Sequence, residues 1–293
     1  MQSSYKHRAG DRKDGRLLRS LPAFNKFIPF IMPQRNDACN HYEESFEVSA
    51  VDKCLRQERV NGYKGIGFLH FMIAAYIRCL SMLPGMNRFV SGRRIYARNS
   101  ITIVMTVKRS LSIDSSETTI KVDFEPTDTI FDVYRKVNEK VDEIKSGIDG
   151  NSTEEVAETL SRFPRMILRM ILGVLKIMDY FGWLPQSLIN ASPFHGSMII
   201  TDLGSLRIGP IYHHIYNFGN LPVFISFGAK RRAYEVDRTG QTVSKKYIDT
   251  KFVLDERIAD GHYYAQFLQA LRYIFAHPEI LERSPSRVIE DVS

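Results

Sequence analysis

Residues 68–83, from Phe68 to Leu83, are apolar on nearly every side of a helix, a pattern that surface helices do not carry. The run is sixteen residues long and contains His70 and Arg78, so it is too short and too polar to span a bilayer. It predicts a helix buried in a core, stopped by Pro84-Gly85. A helix with no wet side has to be enclosed by other elements. A chain of 293 residues can enclose it, since it scales to roughly 13,000 Å² of surface when folded against roughly 49,000 Å² unfolded. No disulfide is needed for a core of that size.

The enclosing elements can be read along the chain. Residues 1 to about 20 read as a flexible basic tail holding Lys6, His7, Arg8, Arg12, Lys13, Arg16 and Arg19. Residues 21–33 are apolar but broken by Pro22, Pro29 and Pro33, which predicts an extended segment and not a helix. Tyr42, Phe46 and Val48 at period two predict a strand, and Ser49 to Arg59 a short helix ended by Asn61-Gly62. Strands are predicted over 94–98, 101–109 and 118–124. A helix follows, opened by Pro126-Thr127-Asp128, with Ile130, Val133, Val137, Val141 and Ile144 on one stripe. Ser152 and Glu155 form a cap pattern for a further helical stretch from Thr153. Beyond Pro193, strands are predicted over 197–201, 223–236 and 245–254, the last two joined across Asp237 to Gly240 as a hairpin. A final helix runs from Asp260 to Ala276. Strands and helices alternate without a regular βαβ rhythm, so the fold class is α/β with a mixed sheet and flanking helices. The 21–293 stretch reads as one domain.

Arg165 to Phe181 is a separate case. Arg165, Arg169 and Lys176 fall within about 40° of one another on a helical wheel, and Met166, Ile167, Met170, Ile171, Val174, Ile177 and Met178 fill the rest. Such a helix can lie on an anionic membrane surface. The plainer reading is a helix packed on its own core or on a neighbouring subunit, with its cations outward, and a membrane surface is not the expectation.

Lys and Arg number 40 against 33 Asp and Glu, a net charge of +7. The excess sits in the first twenty residues and in Lys230-Arg231-Arg232. That placement argues against nucleic acid and fits a solvated surface or attraction to an anionic cofactor. Cys39, Cys54 and Cys79 have no paired spacing, so neither disulfides nor a zinc site is expected. The polar start lacks the apolar run of a signal peptide, and a cytoplasmic location is the expectation. Gly62, Gly65 and Gly67 form no dinucleotide fingerprint, and no phosphate loop, G-x-S-x-G elbow or H-E-x-x-H pair occurs. Asn151-Ser152-Thr153 matches a glycosylation acceptor by chance.

The informative stretch is Phe252-Val253-Leu254-Asp255-Glu256-Arg257-Ile258-Ala259-Asp260-Gly261-His262, a hydrophobic strand that ends in charges and turns straight into a helix. It resembles the D-H-R-x-x-D-G motif of the chloramphenicol acetyltransferase-like superfamily, especially the acyltransferase core of 2-oxo-acid dehydrogenase complexes. Asp255, Arg257, Asp260 and Gly261 match, and Glu256 stands where that family has its catalytic histidine. Ile199 to Gly204 is similar to the family's T-I-S-N-L-G strand and turn, and Phe224 to Gly228 to the strand ending A-V-G. Leu83 to Asn87 resembles its E-F-P-x-L-N turn, and Ile101 to Val107 its N-I-G-V-A-V strand. The resemblance covers about residues 32 to 285, and residues near 150–192 stand as a helical insertion.

The resemblance implies a homotrimer with active sites between subunits, acyl-coenzyme A as a substrate and no tightly bound cofactor. It implies Thr201 as the donor to the tetrahedral oxyanion and Asp260 as a structural carboxylate paired with an arginine, taken to be Arg35. Gly204, Ser205, Ser226 and Lys230 are the candidate coenzyme A contacts. The plainer reading of Thr201 is a β-branched strand residue. At Glu256 the energetics matter: an imidazole of pKa ~6.5 deprotonating a thiol of pKa ~8.5 works uphill by roughly 2.7 kcal/mol, a carboxylate of pKa ~4.3 by roughly 5.7 kcal/mol. Burial could recover most of that difference. Otherwise Glu256 only forms an ion pair with a neighbour such as Arg257, and the protein is a non-catalytic trimeric scaffold. His213 and His214, in Tyr212 to Tyr216, are the substitute bases, ahead of His262. The acyl acceptor is open between thiol, hydroxyl and amine. Some thirty residues ahead of the matched region are too few for a lipoyl or subunit-binding domain, so a stand-alone protein is expected.

Overall fold

A computed structural model describes residues 7–108, 117–146 and 158–293. The predicted buried helix is α3 (Phe68–Met82), in which all residues but Leu69 and Met82 are buried. It is enclosed by α2 (Ser49–Val60), α4 (Ile130–Lys145) and α7 (Gly261–Ala276) beside it and by a seven-stranded sheet beneath. That sheet is built from β2 (Cys39–Glu47), β5 (Ile101–Lys108), β6 (Glu117–Phe124), β7 (Met198–Asp202), β8 (Val223–Phe227), β9 (Arg231–Val236) and β10 (Thr242–Asp255). Its order is β2-β10-β8-β7-β5-β6, with β9 also pairing β10. β7 runs parallel to both β5 and β8, and the other pairs are antiparallel. The fold is therefore the expected mixed α/β.

Alternation along the strands gives the sheet two unlike faces. Ile103, Met105, Ile120, Val122, Ile200, Ile225, Phe252 and Leu254 point into the main core with the helices. The other face carries a small cluster in which Ile215, from the 208–218 connection, packs on Phe224 and Val253.

A second, three-stranded sheet of order β1-β4-β3 joins β1 (Gly15–Leu17), β4 (Arg94–Arg98) and β3 (Arg88–Ser91). It corrects the expectation of a flexible tail over 1–20 where that stretch is described. Gly15 to Leu17 pairs with Tyr96 to Arg98, Leu18 is buried, and Arg12 and Asp14 form a buried ion pair at 2.9 Å. Three of the basic charges read as a solvated tail thus have assigned partners: Arg12 holds Asp14, Arg19 holds Asp11, and Arg16 donates to the Asp291 and Val292 carbonyls.

The 21–33 segment is also corrected. Ala23–Ile31 is a helix, α1, with Pro29 inside it. Pro22 stands at the N-cap, and Pro29 lies in the last turns, so it deletes one backbone bond and the helix survives. The 223–236 strand is two strands, β8 and β9, separated at Gly228 to Lys230, and both pair with the long β10. The predicted Asp237 to Gly240 hairpin joins β9 and β10. The cap pattern at Ser152 lies outside the described residues.

His70 accepts a hydrogen bond from the Gly67 N–H at 3.1 Å at the start of α3, and burial pushes its pKa down to about 4. Between pH 6.5 and 4 the unfolded chain takes up a proton that the folded chain refuses, so stability falls as pH drops through that window. The loss at pH 4.5 relative to pH 7 amounts to about 2–3 kcal/mol. Urea unfolding of wild type and His70→Gln at both pH values should show an acid loss smaller by that amount in the variant. Equal losses would contradict the assignment.

Candidate active site

β10 ends on Asp255, whose carboxylate has no solvent exposure. Arg257 grips it through two bonds, Nε to Oδ1 and Nη2 to Oδ2, both 2.8 Å. Arg35, also buried, reaches Oδ2 with Nε at 3.3 Å and donates its other N–H groups to the Tyr216, Gly219 and Val90 carbonyls. Tyr264 Oη donates to the Asp255 carbonyl at 2.5 Å. One carboxylate therefore holds two guanidiniums away from water, and burial, reinforced by the nearby Arg257, lowers the pKa of Arg35.

This corrects the expected pairing of Arg35 with Asp260. Asp260 is exposed and caps α7, accepting the Tyr263 N–H at 2.9 Å. The Glu256–Arg257 ion pair is absent as well, because both edges of the Arg257 fork are committed to Asp255 and to the Met32 and Pro33 carbonyls. The Glu256 side chain is exposed and forms no ion pair among the described residues, while its backbone N–H is anchored on the Ala38 carbonyl at 2.8 Å. The turn thus presents a free carboxylate on a rigid base.

Thr201 lies on β7, half-buried, and its hydroxyl makes no hydrogen bond among the described residues. It stands opposite Ser226 on β8, which stands opposite Lys251 on β10. These three share the face away from the helices. The 208–218 connection covers part of that face. Ser226, fully buried, donates to the Ile211 carbonyl at 2.5 Å, and the Lys251 ammonium sits 4.4 Å from the Tyr212 ring centre. His213 stacks flat on Phe224 at 4.3 Å, and its Nε2 is buried with no hydrogen-bond partner among the described residues. Burial, then the neighbouring His214, lowers its pKa, so the ring is held neutral. His214 is exposed and meets Tyr216 edge-on.

The turn after Thr201 is tight. Asp202 Oδ1 accepts the Ser205 N–H at 3.0 Å, and the Ser205 hydroxyl donates to the Asp202 carbonyl. A Cβ on Gly204 would stand 2.7 Å from the Gly228 carbonyl oxygen, so the turn can approach the end of β8 only with glycine there. Lys230 is held by Asp52. The cysteines are free and are poor nucleophiles: burial and the Asp255 charge push Cys39 up to about 11, and burial with Glu282 pushes Cys54 up to about 12. Among the described residues no cluster fit to hold a metal ion exists.

The sheet register separates the two candidate groups, Thr201 and Glu256. Glu256 lies five positions beyond Lys251, which is level with Thr201 two strands away. At about 3.4 Å per residue and about 4.8 Å per strand, the separation is roughly 20 Å. A single chain cannot close a site on both.

No family profile and no curated protein sequence matches the chain. Solved structures do. A probable dihydrolipoamide acetyltransferase from Listeria monocytogenes superposes with a TM-score of 0.58 at 13% identity, covering 92% of this chain and 96% of that one. The cubic core of the pyruvate dehydrogenase multienzyme complex gives 0.58 and 13%, covering 94% of each chain. This is a chloramphenicol acetyltransferase-like fold. Chloramphenicol acetyltransferase itself aligns at 0.50 and 11%, over 86% of this chain and 94% of that one.

Sequence reasoning placed Asp255 in its motif but missed that it is the hub of the buried ion cluster. Arg35 lies 220 residues away, so no local spacing links the two. Removing the hub leaves two buried guanidiniums without a counter-charge. Asp255→Ala should therefore lower the unfolding free energy by about 3–5 kcal/mol, read from urea titration. A loss below about 1 kcal/mol would show that the cluster does not anchor the turn.

Proposed function

We propose that the protein transfers an acyl group from a coenzyme A thioester to a thiol, hydroxyl or amine acceptor, at sites formed between copies of the chain in a homotrimer. The observation that carries this reading is the pair of unspent groups, the Thr201 hydroxyl and the Glu256 carboxylate, on opposite ends of one sheet. A second copy that brings its Glu256 turn to the Thr201 end would complete a site that one chain leaves open. Assembly from several copies is also in line with one similar structure being the cubic core of a multienzyme complex.

In this reading Glu256 accepts the acceptor's proton while the acceptor atom attacks the thioester carbonyl. Thr201 Oγ1 donates to the oxyanion, collapse breaks the C–S bond, and the protonated Glu256 returns its proton to the departing sulfur, releasing coenzyme A as the free thiol. The Gly204-Ser205 turn borders this end, whereas Ser226 and Lys230 are engaged inside the chain. Acyl-coenzyme A enters as substrate, with no tightly bound cofactor. A cytoplasmic location fits three free cysteines.

A second reading, a non-catalytic trimeric scaffold, is favoured by one observation. Glu256 is exposed in the single chain, so the burial that a carboxylate base requires has to come from the neighbouring copy.

Thiol release from a panel of acyl-coenzyme A donors separates the two. If Glu256 is the base, Glu256→Gln should lose about 100-fold or more, and Thr201→Val about 100-fold. A silent wild type with turnover gained in Glu256→His would identify a decayed site. Silence in every variant, with no thermal shift by coenzyme A, would sink acyl transfer.

A further inference from the structure

The helix α5 (Arg165–Phe181) is not enclosed by its own core, which removes one of the two plain readings of its sequence. Asp179 is its one buried residue. Arg12 pairs with that carboxylate at 2.9 Å, Ser91 Oγ donates to the Asp179 carbonyl at 3.0 Å, and Gly92 lies against the Tyr180 carbonyl where a Cβ would collide. The helix is held at its C-terminal end and along one flank, where Leu168, Ile171, Leu175 and Met178 are half-buried.

The next flank is open. Met166, Ile167, Met170, Val174, Ile177 and Phe181 fall within about 100° of one another on the wheel and are all exposed, Met166 at 78% and Met170 at 64%. Trp183, stacked on Phe181 at 4.8 Å, extends this surface. On the far side, α1 exposes Phe24, Phe27 and Phe30. The tip of the β3–β4 hairpin lies between the two helices, with Gly92 on Tyr180 and the Arg93 guanidinium 5.7 Å from the Phe30 ring centre. Six exposed apolar side chains on one helical arc, extended by Trp183, mark a surface suited to a partner.

Charge selects the partner. Arg165, Arg169 and Lys176 flank the open arc and form no ion pair among the described residues. The one acid of α5, Asp179, is neutralised inside by Arg12. A two-fold contact of this face with its own copy would set these cations against one another, so only a differently charged face or surface suits them. No helix among the described residues is long and apolar enough to cross a membrane, so engagement is along the helix length. We propose that α5 is a docking face for an anionic phospholipid surface. The open apolar arc, with Trp183 at its end, enters the headgroup boundary while Arg165, Arg169 and Lys176 reach the lipid phosphates. This inference does not depend on acyl transfer.

The chain contains one tryptophan, so its own emission reports on the site. Titration of the full chain with phosphatidylcholine vesicles containing 30% phosphatidylserine should shift Trp183 emission to the blue. Co-sedimentation should be at least about 10-fold stronger than with phosphatidylcholine alone, and should weaken between 0.1 and 0.5 M salt. Arg165→Glu/Arg169→Glu and Met166→Ser/Met170→Ser should each reduce binding about 10-fold with melting temperature unchanged. Light scattering is measured in parallel. Equal sedimentation with both lipids, or an unshifted Trp183 spectrum, would overturn the proposal. Variants that dissociate the oligomer and leave vesicle binding unchanged would also overturn it, by assigning the face to a second copy.

Discussion

The Asp255 carboxylate carries the architecture of the site end of the molecule. Through Arg257 it fixes the turn that follows β10, and through Arg35 it draws in the start of the β2 segment and the 216–219 loop. A buried guanidinium costs several kcal/mol of lost hydration unless its donors are met. Here the Arg35 donors are met by one carboxylate and by carbonyls of distant segments. The arrangement contributes geometric definition more than stability, because it is satisfied only when Arg35, Asp255 and the 216–219 carbonyls are all in place. Glu256 inherits its position from that requirement.

The sheet distributes the chemistry. One face is saturated with apolar side chains and helices, so polar groups can stand only on the other face or at the strand ends. Thr201 occupies the first kind of place and Glu256 the second. The 208–218 connection then covers much of the open face and takes the Ser226 hydroxyl and the Phe224 ring out of use. Among the described residues, the Thr201 hydroxyl and the Glu256 carboxylate are left at opposite ends of the sheet. The site proposed from these two residues therefore calls for a second copy of the chain.

Elements whose periodicity is set by burial on one side were legible in the sequence. α3, α4, α7, β5, β6 and the β9–β10 hairpin lie where their patterns put them, because each pattern reflects a single neighbouring layer. The misread stretches are those where a long-range partner overrides a local signal. Pro29 argues against a helix locally, but one lost backbone bond is small beside the gain from packing. The basic run at 12–19 reads as solvated until the Asp179 carboxylate and the Asp291 and Val292 carbonyls, far along the chain, are brought to it. Of the candidate site, Thr201 and the 255–261 turn were singled out by the family resemblance. The partner of Arg35 could not be found this way, since an aspartate in the motif and one at its helix cap look alike in one dimension.

The Arg12–Asp179 contact that seats α5 is one end of a longer chain of buried polar groups. Arg12 also holds Asp14, Asp14 accepts from Asn220 at 2.6 Å, and the adjoining Gly219 carbonyl accepts from Arg35, which reaches Asp255. Neighbouring links share a partner or a peptide unit, so each group's cost of burial depends on whether the next one is present. Energies of substitutions along this line therefore do not add. Removing Asp179 and Asp255 together has a cost that neither single change predicts, although the two carboxylates lie at opposite ends of the network.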